Sequence, residues 1–195
     1  MPQYFENDPS LQHEYSEFNY GFGTKIFRFR TDAGVFSRDH VDSESALLMS
    51  QITNAKGSLL DLGCGYGCIG IILAATHGLT LTQADVNERA LELATVNRAL
   101  NGVEGESVLS DCFEALGERK FDIITLNPPI HAGKEILHRM YEGARDHLNE
   151  GGAFYIVIMK KHGAESTIKK LRTIYGTVDV IYKKSGSFVV RCTNR

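Results

Sequence analysis

From Ser58 onward, short apolar runs alternate with helix-like stretches, and this alternation constrains the fold more than any other feature of the chain. Parallel strands need crossovers long enough to hold a helix, so strand–helix alternation implies a mostly parallel sheet covered on both faces. Strands are expected at Ser58 to Leu62, Leu79 to Asp85, Val108 and Leu109 closing at Asp111, Phe121 to Leu126, and Phe154 to Met159. Helices are expected at Gly67 to His77, from Asn87 to about Leu100, Lys134 to Leu148, and Ala164 to Tyr175. Asn87 suits an N-cap, and Gly102, Gly151-Gly152 and Gly176 stop the helices before them. Val178 to Tyr182 and Phe188 to Arg191 flank Lys183-Lys184-Ser185-Gly186, which reads as a hairpin. That hairpin adds an antiparallel strand at one edge.

The first 57 residues read differently. Glu14 to Tyr20 and Lys25 to Arg30 look like two strands around Gly21-Phe22-Gly23. Asp42 or Ser43 can cap a helix containing Ala46, Leu47, Leu48 and Ile52. Half of the 8 Tyr and 10 Phe fall between Tyr4 and Phe36, which suits an extension packed on the main domain, with one or two left to stack on a base. The expected organisation is therefore an extension at 1–57 on a core at 58–195, one structural domain in a chain of 195 residues.

Several classes are excluded. No stretch approaches the ~20 apolar residues of a membrane span. Met1 to Asp8 has no basic region followed by an apolar run, so a cytoplasmic location is expected. Cys64, Cys68, Cys112 and Cys192 lack zinc-site spacing and read as reduced thiols, with no metal. The net charge of -3 rules out a polycation. Charge is uneven, however: from Lys160 on, Lys160, Lys161, Lys169, Lys170, Arg172, Lys183, Lys184, Arg191 and Arg195 face only Glu165 and Asp179. Such an edge suits phosphate contact or, equally, a solvated face.

The residues able to carry chemistry fall at expected strand ends: Asp61, Asp85, Asp111 and Asn127. An open parallel sheet binds its ligands there, near the point where strand order reverses. In Asp61-Leu62-Gly63-Cys64-Gly65-Tyr66-Gly67, glycines let the backbone approach a ligand. Gly65-x-Gly67-x-x-Gly70, with Asp85 about 20 residues on, also spells a dinucleotide fingerprint, so a hydride-transferring enzyme is an alternative. Asp61 inside the loop repels a pyrophosphate and welcomes a cationic aminoacyl sulfonium. Asp85 can accept two hydrogen bonds from a ribose diol, and Asp111-Cys112-Phe113 can meet an adenine. Asn127-Pro128-Pro129-Ile130 is the most informative tetrapeptide. Its prolines stiffen a strand end, and the Asn127 oxygen with the Pro128 carbonyl make two acceptors suited to an –NH2 group. Gripping both hydrogens lets a delocalised nitrogen pyramidalise for in-line attack on a methyl group.

The order and spacing of Asp61 to Gly67 and Asn127 to Ile130 resemble the class I methyltransferases of planar amino nitrogens. Within these the chain resembles the small-subunit (16S) ribosomal RNA guanine-N2 methyltransferases. Thr31-Asp32-Ala33-Gly34-Val35-Phe36-Ser37, followed by Asp42, is similar to the segment preceding that family's first catalytic-domain helix. Asn127-Pro128-Pro129-Ile130-His131-x-Gly133 is similar to its catalytic loop. The resemblance implies a Rossmann-like seven-stranded sheet, mostly parallel with the last strand antiparallel, and S-adenosyl-L-methionine as cofactor. It implies cofactor contacts at Asp61, Gly63, Cys64, Gly65, Asp85, Val86, Asp111, Cys112 and Asn127, and catalysis at Asn127, Pro128, Pro129 and Ile130. Phe36, His131 and Lys134 are the expected substrate contacts.

The implied partner is ribosomal RNA or the small subunit, with no membrane. Larger family members carry a further N-terminal domain, and dimerisation can supply that surface, so a monomer or homodimer is expected. Position 130 is usually aromatic in amine methyltransferases; Ile130 covers a base without π-stacking, and Phe36 can substitute. On residue chemistry alone the acceptor stays open between a nucleobase amine, a protein glutamine and a small molecule, and a non-catalytic cofactor- or RNA-binding module is the remaining alternative.

Overall fold

The computed structural model describes residue 10 and residues 12–37, 39–129 and 131–194. Tyr4, Phe5, Ile130 and Arg195 lie outside the described residues. A two-stranded hairpin, β1 (Ser16–Phe22) and β2 (Lys25–Thr31), precedes helix α1 (Ser43–Gln51). The main sheet is built from β3 (Ser58–Leu62), β4 (Thr80–Asp85), β5 (Gly105–Leu109), β6 (Phe121–Leu126), β7 (Leu148–Met159), β8 (Thr177–Lys184) and β9 (Ser187–Thr193). Helices α2 (Cys68–His77), α3 (Glu88–Leu100), α4 (Lys134–Asp146) and α5 (Ala164–Ile174) connect them. Seven strands follow the order β5-β4-β3-β6-β7-β9-β8. β5, β4, β3, β6 and β7 are parallel, and β9 is antiparallel to both of its neighbours. This is the Rossmann-like sheet with an antiparallel last strand. Strand order reverses between β3 and β6, which puts the switch point where their carboxyl ends meet.

Strand periodicity divides the apolar residues between two cores. Leu60, Ile124, Ile156 and Val190 face one side with α4 and α5. Leu59, Ile123, Val157 and Val189 face the other with α1, α2 and the hairpin's Phe27 and Phe29. Both faces are covered, so the central strands are apolar over most of their length.

Two expectations need correction. The antiparallel strand is not at the edge: β9 inserts between β7 and β8. Phe188-Val189-Val190 is buried as a continuous run, whereas the side chains of β8 are mostly exposed and include Asp179, Lys183 and Lys184, as suits an edge strand. Second, α4 ends at Asp146, and β7 begins at Leu148 rather than after the two glycines. Gly151 and Gly152 lie within β7, where the register with β6 shifts. A Cβ on Gly152 would stand 3.0 Å from the carbonyl oxygens of Asn149, Phe121 and Asp122. The pair therefore serves an irregularity inside a strand and does not end a helix.

The hairpin is fastened to α3 by two asparagines one helical turn apart. The Asn97 side chain accepts from the Arg30 amide at 2.7 Å and donates to the Arg30 carbonyl at 2.9 Å and to the Tyr66 carbonyl at 2.8 Å. Asn101 repeats the pattern on Arg28, at 3.0 and 2.8 Å. Two side-chain amides thus occupy the ladder groups along the free edge of β2. The segment after β2 is pinned by Asp32, which is fully buried. Its carboxylate meets His13 Nδ1 at 2.6 Å, the Glu14 amide at 2.6 Å and Arg89 Nη1 at 3.2 Å. Among the described residues no helix is long and apolar enough to cross a membrane.

Candidate active site

A cavity of about 540 Å³ opens at the carboxyl ends of β3, β4, β6 and β7. That volume suits a small-molecule ligand. Gly63, Cys64, Gly65, Asp85, Val86, Asp111, Cys112 and Asn127 line it, as do Pro128, Pro129, Phe36 and His131. The fold thus brings together most of the residues singled out from sequence. Asp61 and Lys134 are not among the walls. Ile130 lies outside the described residues.

Asp61 has a different position from the one expected. It lies on β3, buried beneath the loop, with Oδ2 accepting from the Gly70 amide at 2.8 Å and Oδ1 from the Thr125 hydroxyl at 3.2 Å. Burial pushes its carboxyl up to about 7, against the pull of the Gly70 and Thr125 bonds. Gly70 is in the first turn of α2, so a carboxylate already occupies the positive end of that helix.

The loop's amides are also engaged. Gly63 and Cys64 donate to the Ala84 carbonyl at 2.8 and 3.1 Å, Gly67 donates to the Cys64 carbonyl at 2.9 Å, and Gly65 donates to Asp85 Oδ2 at 2.8 Å. A dinucleotide site needs such amides, at a helix N-terminus, for its pyrophosphate. Here they are turned inward, and the fingerprint does not make a pyrophosphate cradle.

The glycines have separate tasks. Gly65 has φ +55 and nothing within 4 Å of where a Cβ would stand, so its surface is open. A Cβ on Gly67 would come within 2.7 Å of Gln83 Nε2, and one on Gly70 within 2.8 Å of Leu81 Cδ1. Those two let α2 press against the sheet. Leu62 to Tyr66 line the cavity, and Gly67 and Gly70 do not.

Asp85 ends β4 with Oδ2 on the Gly65 amide and Oδ1 on the Asn87 amide at 2.9 Å. Burial raises its carboxyl, partly offset by those amides. Each oxygen keeps a lone pair for a ligand hydroxyl. Asp111 is exposed, and Arg139 Nη1 and Nη2 both reach its Oδ2 at 3.2 Å. Cys112 adopts φ +51, the left-handed region that a side chain disfavours. Ser110 holds that turn, donating to the Cys112 carbonyl at 3.0 Å and accepting from the Ala115 amide at 3.1 Å. Backbone strain of this kind clusters at ligand sites in proteins generally. Asp42, Glu44, Asp85 and Asp111 give the cavity a predominantly negative lining. A cationic ligand carrying a ribose diol fits these residues, and S-adenosylmethionine is such a ligand.

Asn127 follows β6 directly. Its Nδ2 donates to Ser45 Oγ at 3.0 Å and to Asp42 Oδ1 at 3.2 Å. Asp42 is itself the N-cap of α1, accepting from the Ser45 amide at 2.9 Å. Among the described residues no hydrogen bond reaches Asn127 Oδ1, so the amide presents an acceptor beside the rigid Pro128-Pro129. Asp42 was legible as a cap, but its hold on a residue 85 positions away had no sequence signal. Lys161, which lines the cavity after β7, was read only as part of a basic edge, and His162 beside it was not singled out.

A parallel sheet that closes with an inserted antiparallel strand, and places carboxylates rather than free amides at its first crossover, is a methyltransferase architecture. The chain belongs to the methyltransferase small domain family, whose match spans residues 26–191. It is 38% identical over 193 residues to YbxB, an uncharacterized protein of Bacillus subtilis strain 168, covering 96% of each chain. It is 40% identical over 154 residues to ribosomal RNA small subunit methyltransferase C of Salmonella newport strain SL254, covering 76% of this chain and 44% of that protein. A solved 16S rRNA N2 methyltransferase of T. thermophilus, in complex with AdoMet and guanosine, superposes with a TM-score of 0.84 at 26% identity, covering 96% of this chain and 52% of that one. The chain thus spans about half the length of the ribosomal RNA methyltransferases it matches.

Proposed function

We propose that this methyltransferase, with S-adenosylmethionine as its cofactor, acts on the exocyclic N2 of a guanine in small-subunit ribosomal RNA. The observation that carries the reading is the held amide of Asn127. Its NH2 is tied to Asp42 and Ser45, which turns Oδ1 into a fixed acceptor next to Pro128 and Pro129. The cofactor supplies an electrophilic methyl on a cationic sulfonium. Gly63, Cys64, Gly65, Asp85, Val86, Asp111 and Cys112 hold it, with Asp85 on its diol, while Asp61 supports the loop from below. Asn127 Oδ1 and the Pro128 carbonyl grip the amine hydrogens, which frees the nitrogen lone pair along the line of attack. Phe36 at the rim and Ile130 cover the base, and the exposed His131 takes the released proton to solvent. Lys134, at the start of α4, meets a phosphate.

The guanine and its ribosomal origin are supported by relatives that this chain matches over part of their length. Labelled S-adenosylmethionine, incubated with small subunits, naked RNA and a protein extract, tests them. Label recovered as N2-methylguanosine is the expected result. Label confined to protein sinks the RNA acceptor, and cofactor binding without transfer to any acceptor sinks catalysis. Asn127→Ala is expected to slow transfer by about 100-fold or more while leaving cofactor affinity within a few-fold.

A further inference from the structure

The cavity carries groups of both signs. Asp85 and Asp111 line it at the ends of β4 and β5, Asp42 and Glu44 at the start of α1 beside Asn127, and Lys161 and His162 after β7. Cationic side chains continue outward from there. Lys160, Lys161 and His162 form the turn after β7, and the Lys160 amide donates to the Gly186 carbonyl at 2.7 Å. That bond and the pairing of Met159 with Ser187 seat the β8–β9 turn alongside, which brings Lys183 and Lys184 to the same rim. All five side chains are exposed.

Several cations elsewhere are neutralised in ion pairs, whereas Lys56, Lys134, Lys169 and Arg172 are scattered and exposed without one among the described residues. Arg28 and Arg30 share Glu17, Arg119 pairs with Glu106, Arg139 with Asp111 and Glu114, and Lys170 with Glu142. Among the described residues no ion pair engages Lys160, Lys161, His162, Lys183 or Lys184. Lys183 Nζ stands 5.3 Å from the Phe188 ring centroid, a contact that orients the ammonium without neutralising it. The adjacent acid is Glu165, in the first turn of α5. An uncompensated row of cations repels itself, and a polyanion laid along it relieves that repulsion.

We propose that Lys160, Lys161, His162, Lys183 and Lys184 form a track for the phosphodiester backbone of the RNA. The strand crosses the carboxyl end of β7, and the target base turns from it into the cavity over Asn127. Asp85, at the end of β4, disfavours phosphate there, which leaves the β7 side as the one with unpaired cations. Phosphate contacts position a strand without reading its sequence, which leaves base selection to the pocket. The inference rests on the RNA acceptor argued above.

Lys160, Lys183 and Lys184 do not line the cavity, which makes them the residues to change. Binding of a fluorescent single-stranded small-subunit RNA fragment is followed by anisotropy between about 50 and 200 mM salt. Replacing each lysine with Gln is expected to flatten the plot of log affinity against log salt by about 0.7. The triple variant is expected to bind roughly tenfold more weakly, with KM for RNA rising equally and kcat unchanged. Cofactor affinity and unfolding midpoint should stay at wild-type values. Unchanged RNA affinity and salt slope in the triple variant, with RNA still methylated, overturns the track alone. Lysine-dependent RNA binding without RNA methylation supports the track and sinks the acceptor reading alone. Polyglutamate competing as well as RNA of equal charge also overturns the track, because it assigns the surface to acidic protein.

Discussion

Asp61 shows how one residue can be legible in kind and misread in position. A carboxylate ahead of the glycines was visible, but its direction was not, because strand phase decides whether a side chain faces ligand or core. In the fold it points inward and caps α2 from a neighbouring strand. Its carboxyl stands near 7, above the ordinary unfolded value of about 3.9. Between those values the folded state binds more protons than the unfolded state, so stability falls as pH rises through that window. Asp85 shifts in the same direction. Urea unfolding at stepped pH should show Asp61→Asn flattening this fall, since Asn keeps an acceptor for Gly70 and cannot ionise. A slope as steep as wild type assigns it to other groups. Asn127 was identified by its prolines, whereas its holders Asp42 and Ser45 were not, because nothing local couples positions so far apart. Asp42→Ala should cost about 1 kcal/mol as a lost N-cap and lower kcat as well, read from unfolding and single-turnover methylation of the same sample.

At the level of elements, the glycine loop separates into a ligand wall and a packing seam. Gly70→Ala puts a methyl 2.8 Å from Leu81 Cδ1 and 3.0 Å from Asp61 Cβ, and should destabilise by about 1–3 kcal/mol. Gly65→Ala meets no neighbour within 4 Å and carries only the strain of φ +55. It should lose cofactor affinity by calorimetry out of proportion to its lost stability, the reverse of Gly70→Ala. The sequence pattern located these elements because their apolar runs carry the strand period. It missed the start of β7, because glycine in a strand irregularity and glycine after a helix look alike. It placed the hairpin at the edge without ordering its strands. The apolar run of Phe188-Val189-Val190 against the charged β8 carries that order once burial is considered.

For the molecule as a whole, alternation was enough to infer a covered parallel sheet, but not how the residues before Ser58 attach to it. Attachment depends on Asn97 and Asn101, which in sequence are two polar residues on a helix. Asn97 is fully buried and serves three backbone groups. Asn97→Ala strands all three and should cost about 1–3 kcal/mol. Proteolysis of that variant should begin in the hairpin while α4 and α5 stay protected. Equal protection throughout would mean that the aromatic contacts of Phe27 and Phe29 hold the hairpin unaided.

The cap of α1 also has a consequence in time. Asp42 Oδ1 holds the Ser45 amide and the Asn127 side chain together, so a molecule whose first helical turn has frayed has also released its acceptor. Fraying of helix ends is a low-energy local opening. Deuterium uptake at the single backbone amide of Ser45 should therefore rise with the fraction of molecules whose acceptor is released and so not ready to turn over, and a bound acceptor should slow it.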